Sequence, residues 1–162
     1  MNPDRVVVNA SPLIVLFKSG LAHLLPQLFA DMLVPAAVWE EVLAGGETDA
    51  AAVGLPAAGW AARVEVAAIA PNVAVWNLGQ GESEVLTLAL SLPNCRAMVD
   101  DRAARRCART LGIPIMGTGA ALVLAKRRGL IDAVAPALDL LRNAGLWVSE
   151  EVAALLRQQA GE

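Results

Sequence analysis

The sequence has no tyrosine and only two phenylalanines. With aromatics at 4% of a chain that is 56% apolar, much of it alanine, the interior is expected to be aliphatic and built largely from packed helices. Histidine occurs once, as His23, which leaves no histidine set for a zinc centre. The two cysteines, Cys95 and Cys107, have no metal-ligand spacing and no further partners, so reduced thiols in a cytoplasmic protein are expected rather than a disulfide framework. Positive charge is also short: 13 Lys and Arg against 16 Asp and Glu give a net charge of −3, so any nucleic-acid binding needs a local basic patch. Long apolar runs are missing too. The charge-free stretches Val66 to Gly81 and Thr110 to Ala125 are broken by Pro71 and Gly79, or by Gly112, Pro114, Gly117 and Gly119, and neither reads as a membrane span. The start, MNPDRVVVN, carries charge early and lacks an apolar segment followed by a cleavage site, so no secretory signal is expected.

What is present fits one domain spanning residues 1–162. Short β-rich runs at Val6 to Val8, Met32 to Val34, Val64 to Val66, Ala97 to Val99 and Ile113 to Met116 alternate with longer Ala- and Leu-rich helical patterns. That alternation implies an α/β fold with a mainly parallel sheet flanked by helices, because parallel strands need crossovers and are covered on both faces. Helices are expected at Pro12 to Lys18, Leu21 to Phe29, Pro35 to Leu43, Glu82 to Ser91, Arg102 to Leu111, Ala120 to Arg128 and Ile131 to Asn143. A last helix over about 150–160 follows Ser149, a capping residue, with Glu150 and Glu151 in its first turn. The Gly- and Ala-rich segment Ala44 to Ala62 reads as a short helix or a mobile segment, with Trp60 either in the core or on an apolar surface for a partner.

Ligands of open α/β sheets bind at the carboxyl ends of the strands. Three polar strand ends follow from the pattern: Asn9 with Ser11 and Pro12, Asp100 with Asp101, and Gly117 with Thr118 and Gly119. Each also has a structural reading, with Asn9, Ser11 or Asp101 capping the next helix and Gly-Thr-Gly as an ordinary turn. Asp100 and Asp101 together repel each other unless a cation or an arginine offsets them. Arg102, Arg105, Arg106 and Arg109 fall at helical spacing, as a solvated face or a nucleic-acid contact. Glu82 precedes Val85, Leu86 and Ala89 by three, four and seven residues, which places its carboxylate along the core-facing side. Glu40 and Glu41 form another acidic pair, and periodicity leaves open which of them faces inward. Carboxylates from separated segments suit Mg²⁺ or Mn²⁺, and such sites activate water against phosphodiesters.

The motifs VNASPLI, VPAAVWEEVLAG, LGQGESEVLTLAL, VDDRAARRCARTLGIPIMGTGAAL and AKRRGLI, in order over about residues 6–143, resemble the PIN-like family of prokaryotic proteins allied to VapC-type toxins, in particular relatives sharing SPLI. The resemblance implies a three-layer Rossmann-like fold, an acidic Mg²⁺ or Mn²⁺ site, ribonuclease activity on single-stranded RNA, a cognate antitoxin and a homodimer. Matched by motif, Asn9 takes the first acidic position, Glu41 the second, Glu82 the third and Asp101 the fourth, with Asp100 beside it. Glu41, Glu82 and Asp101 are then the catalytic carboxylates, Ser11 and Thr118 supporting groups, and Arg102, Arg105 and Arg106 RNA contacts. The family pattern usually has aspartate where this chain has Asn9, and an amide keeps the oxygen but removes a negative charge. A non-catalytic module binding RNA or protein is the competing expectation, and a small-molecule-binding α/β domain the third.

Overall fold

Val6, Val7 and Val8 are fully buried, as expected of an all-β-branched run lying mid-sheet with helices on both faces. The computed structural model describes residues 5–162. It has a five-stranded sheet in the order β3-β2-β1-β4-β5, parallel at every pairing. The strands are β1 (Arg5–Val8), β2 (Asp31–Pro35), β3 (Ala61–Val64), β4 (Cys95–Met98) and β5 (Ile115–Met116). Helices fill the crossovers: α1 (Ala10–Lys18) and α2 (Leu25–Leu28) before β2, α3 (Ala36–Leu43) and α4 (Ala50–Ala57) before β3, α5 (Pro71–Ala74) and α6 (Gln80–Ser91) before β4, and α7 (Arg102–Leu111) before β5. The chain ends with α8 (Thr118–Arg127), α9 (Val134–Asn143) and α10 (Glu150–Gln159). This is the α/β layered architecture expected from the sequence. None of the helices among the described residues is long and apolar enough to cross a membrane.

The topology fixes where a site can form. The chain builds outward from β1 to β2 and β3, then returns to lay β4 against the other side of β1. The strand order therefore reverses between β1 and β4, and a crevice opens at their carboxyl ends, where Asn9 and Asp100 stand.

Local signals failed where tertiary pairing decides. The third strand lies at Ala61–Val64, not Val64 to Val66, because register with β2 (Met32 opposite Ala61, Pro35 opposite Val64) selects the edge segment. The fifth is cut to two residues: Gly112 turns left-handed at φ 71°, Ile113 N–H bonds Ala108 O at 2.8 Å to close α7, and Pro114 has no N–H to give. The helix expected over Leu21 to Phe29 splits into a 3₁₀ turn (Ala22–Leu24) and α2, whose first turn contains Pro26. The segment Ala44 to Ala62 is ordered structure: Asp49 caps α4 through Ala51 and Ala52, at 3.0 and 2.9 Å. Trp60 stacks on Phe17 with centroids 5.9 Å apart, and Gly54 allows the approach, since a Cβ there would stand 2.6 Å from the Phe17 ring. Trp60 thus packs against the core.

α9 starts at Val134, later than the expected Ile131, and its first amides are met from the end of the chain. The Glu162 carboxylate accepts from Val134 N–H at 2.6 Å and Ala135 N–H at 3.3 Å and pairs with Lys126 at 3.1 Å. The Val134 bond, with help from Lys126 and Ala135, holds the Glu162 carboxyl below its usual range against a smaller effect of desolvation. A carboxyl whose folded pKa is depressed stabilises the fold above its unfolded pKa and loses that contribution as pH falls through the folded value. Thermal melts should therefore separate wild type from Glu162→Gln at pH 7 and bring the two together well below about pH 4.

Candidate metal centre and adjoining arginine cavity

β1 delivers Asn9 to the crevice, and the Asn9 N–H bonds Met98 O at 3.1 Å, carrying the β1–β4 pairing to the lip of the site. Asn9 occupies the N-cap position of α1, yet its side chain makes no capping bond. It is buried, and its Nδ2 lies 3.5 Å from Glu82 Oε1. The capping alternative therefore does not hold for Asn9, whose amide faces the carboxylate of a different crossover. Ser11 is exposed on the first turn of α1.

Glu82 sits half-buried in the first turn of α6, where the helix dipole favours a negative charge. Its helix starts at Gln80 rather than Glu82, after Gly79. Gly79 matters for the carboxylate: a Cβ there would stand 2.5 Å from Glu82 Oε2. Because Gly79 has φ −60°, alanine meets no backbone strain and only the flexible carboxylate must move. Gly79→Ala is expected to keep the wild-type melting temperature and weaken Mn²⁺ binding several-fold, read by paired melts and calorimetric titrations.

The position of Gly81 shows which of Glu40 and Glu41 joins the site. A Cβ built on Gly81 would lie 3.6 Å from Asn9 Oδ1 and 3.8 Å from Glu41 Oε1, so both oxygens look onto the same turn of α6. Glu40 instead points outward to Arg63 of β3 at 3.2 Å, and Arg63 also pairs with Glu65. Partial desolvation, and then the neighbouring Glu82 charge, push the Glu41 carboxyl above its usual range. Two carboxylates held together with an amide oxygen form a hard-oxygen donor set.

The inward, buried acid of α6 is Glu84, which sequence reasoning passed over. Its carboxylate accepts from Ala37 N–H at 3.1 Å and Gln80 Nε2 at 2.9 Å, capping α3, the helix that carries Glu41. A signal existed: α3 begins after Pro35, which has no side-chain oxygen to cap it, so an orphan N–H had to be met from elsewhere.

The acids after β4 have separate tasks. Asp101 is exposed and caps α7, its Oδ2 accepting from Ala104 N–H at 2.9 Å. Asp100 accepts from Thr118 N–H at 2.9 Å and from Thr118 Oγ1 at 2.5 Å, and Thr118 is completely buried. Of the five expected ligands, Asn9, Glu41 and Glu82 gather at α6, while Asp100 and Asp101 hold the starts of α8 and α7. Among the described residues no three acid, histidine or cysteine side chains stand together as a metal cluster; the third member of the gathering is the Asn9 amide. Mg²⁺ is commonly held by one or two carboxylates with waters completing its shell, so these donors fit a hard divalent cation.

A cavity of about 540 Å³, with Asp100 on its wall and none of Asn9, Glu41 or Glu82, lies between α7, the start of α8 and α10. Arg102, Arg105 and Arg109 line it, one helical stripe. Arg106 is exposed away from it, so of the three expected RNA contacts two face this cavity and Arg109 takes the place of the third. Arg105 Nη1 donates to Val99 O at 3.1 Å.

A family model described as PIN domain matches residues 5–162. No curated protein matches the chain.

Proposed function

The chain belongs to the PIN-domain family, a nuclease-type fold, and from that premise we propose that it is a divalent-cation-dependent endoribonuclease acting on single-stranded RNA. The observation that supports this most is the convergence of Glu41 and Glu82, from two different crossovers, with the Asn9 amide at the strand-order reversal. Glu41, Glu82 and the Asn9 oxygen would hold Mg²⁺ or Mn²⁺, which when bound supplies Lewis acidity toward a phosphodiester and lowers the pKa of water. The chain's own residues do the rest. Asn9 Nδ2 steadies Glu82 Oε1. Asp100 and Thr118 fix the neighbouring strand end, and Asp101 orients the arginine-bearing helix through its cap.

The motifs from VNASPLI to AKRRGLI further favour the toxin half of a toxin–antitoxin pair, cytoplasmic and homodimeric, as VapC-type relatives are. The test is calorimetric titration of chelator-stripped protein with Mn²⁺ and Mg²⁺, beside cleavage of single-stranded RNA with and without EDTA. Saturable binding with chelator-sensitive cleavage is expected.

Asn9 itself favours a second reading, a non-catalytic RNA- or protein-binding module, because its amide leaves the site one negative charge short. Folded protein that takes up no Mn²⁺ and leaves RNA intact supports that reading. Asn9→Asp then discriminates further, since a restored carboxylate is expected to recover cation binding.

A further inference from the structure

The arginine cavity has features that the carboxylate site does not explain. The Arg102 and Arg109 side chains make no ion pair or hydrogen bond among the described residues, although acids outnumber bases in the chain. Among the described residues Asp100 is the only acid on the cavity wall, and its oxygens accept from Thr118. Two guanidiniums thus face a concave space without an ion-pair partner of their own, three arginines standing against the single Asp100 carboxylate on its wall, an arrangement that recruits an anion.

The cavity is also lined by Trp147, 83% exposed. An indole left in water is a large apolar surface without a partner. The loop does not present it by fraying. Leu146 N–H bonds Leu141 O at 3.0 Å, and Arg142 Nη2 donates to Val148 O at 2.9 Å and Ser149 O at 3.3 Å, so the backbone is pinned on both sides of the ring. The neighbouring Leu146 and Val148 are half-buried and continue an apolar floor to Leu156.

We propose that this cavity is a nucleotide site, in which a base stacks on Trp147 and its phosphate lies between Arg102 and Arg109. A flat aromatic face and unpaired cations lining one concavity match the two halves of a nucleotide, and stacking on tryptophan tolerates any base. The volume suits a ligand of that size, within the usual range of about 300–1,000 Å³. The nucleotide is either one unit of an RNA strand or a free mononucleotide. Only the first source rests on the ribonuclease reading, as the place where the strand lies beside Glu41 and Glu82.

The experiment measures binding in EDTA, which removes the cation chemistry from the result. End-labelled oligoadenylate is followed by anisotropy and AMP by calorimetry, with inorganic phosphate and polyglutamate as comparison ligands. Saturable binding of oligoadenylate or AMP is expected, weakened about ten- to a hundredfold in Trp147→Ala and made less salt-dependent in Arg102→Ala/Arg109→Ala. Both variants alter exposed side chains, so their folding is expected to be unaffected. Tighter binding of the oligomer identifies the strand as the source, and equal binding of AMP identifies the free nucleotide. Glu82→Gln binds both as wild type does, so loss of cleavage in that variant leaves this site standing. The proposal is overturned if neither nucleotide binds, if binding survives both cavity variants unchanged, or if polyglutamate competes as well as oligoadenylate.

Discussion

Glu82→Gln is expected to abolish saturable Mn²⁺ binding and to lower chelator-sensitive RNA cleavage by at least about a hundredfold, since even changes behind a metal ligand cost about 10–100-fold. The substitution keeps the size of the side chain and its place in the first turn of α6, removing only charge. Folding is not expected to suffer. Burial first, and then the Glu82 charge, raise the Glu41 carboxyl; the variant relieves that like-charge contact while giving up a favourable charge at the start of α6, so its melting temperature without cation is expected to stay close to that of wild type. Glu84→Gln is the matched control on the same helix. Its carboxylate is committed to Ala37 and Gln80, so the loss falls on stability and not directly on the donor set. Wild-type Mn²⁺ affinity in Glu82→Gln would place any cation site elsewhere.

Asp100→Ala is expected to show the opposite profile, a large loss of stability with cation binding retained in the folded protein. The substitution strands two donors at once, the Thr118 N–H and the Thr118 hydroxyl, on a residue with no solvent exposure. Unsatisfied buried donors of this kind cost about 2–5 kcal/mol together, or about 5–15 °C in melting temperature for a chain of this size. Asp100→Asn keeps an acceptor for the Thr118 N–H and is expected to fall between. An Asp100→Ala protein that melts like wild type but takes up no Mn²⁺ would make Asp100 a ligand and refute its anchoring role.

Features encoded by neighbouring residues were legible in the sequence. α7 runs over Arg102 to Leu111 as expected, because Asp101 caps its start and Gly112 ends it, both local devices. β1 declared itself by the run Val6 to Val8, and β4 by Ala97 to Val99, although the strand itself spans Cys95–Met98 and includes Arg96; Asn9 and Asp100 beyond these runs marked the crevice. Choices set across crossovers were not legible. Whether Glu40 or Glu41 turns inward is set by the phase in which α3 buries Val38 and Val42, and Arg63 reaches Glu40 only once β3 lies beside β2. Asp100 and Asp101 look alike in sequence, yet one meets Thr118 from 18 residues away while the other caps its own helix. The edge strand β3 carries a weak pattern because half-burial asks little of its side chains.

The bond from Glu84 to Ala37 ties α6 to α3, and the same two helices carry Glu82 and Glu41. The placement of the two carboxylates therefore rests in part on a contact that neither of them makes. A change at Glu84 is thus felt at Glu82 and Glu41 through the scaffold, with neither of them altered.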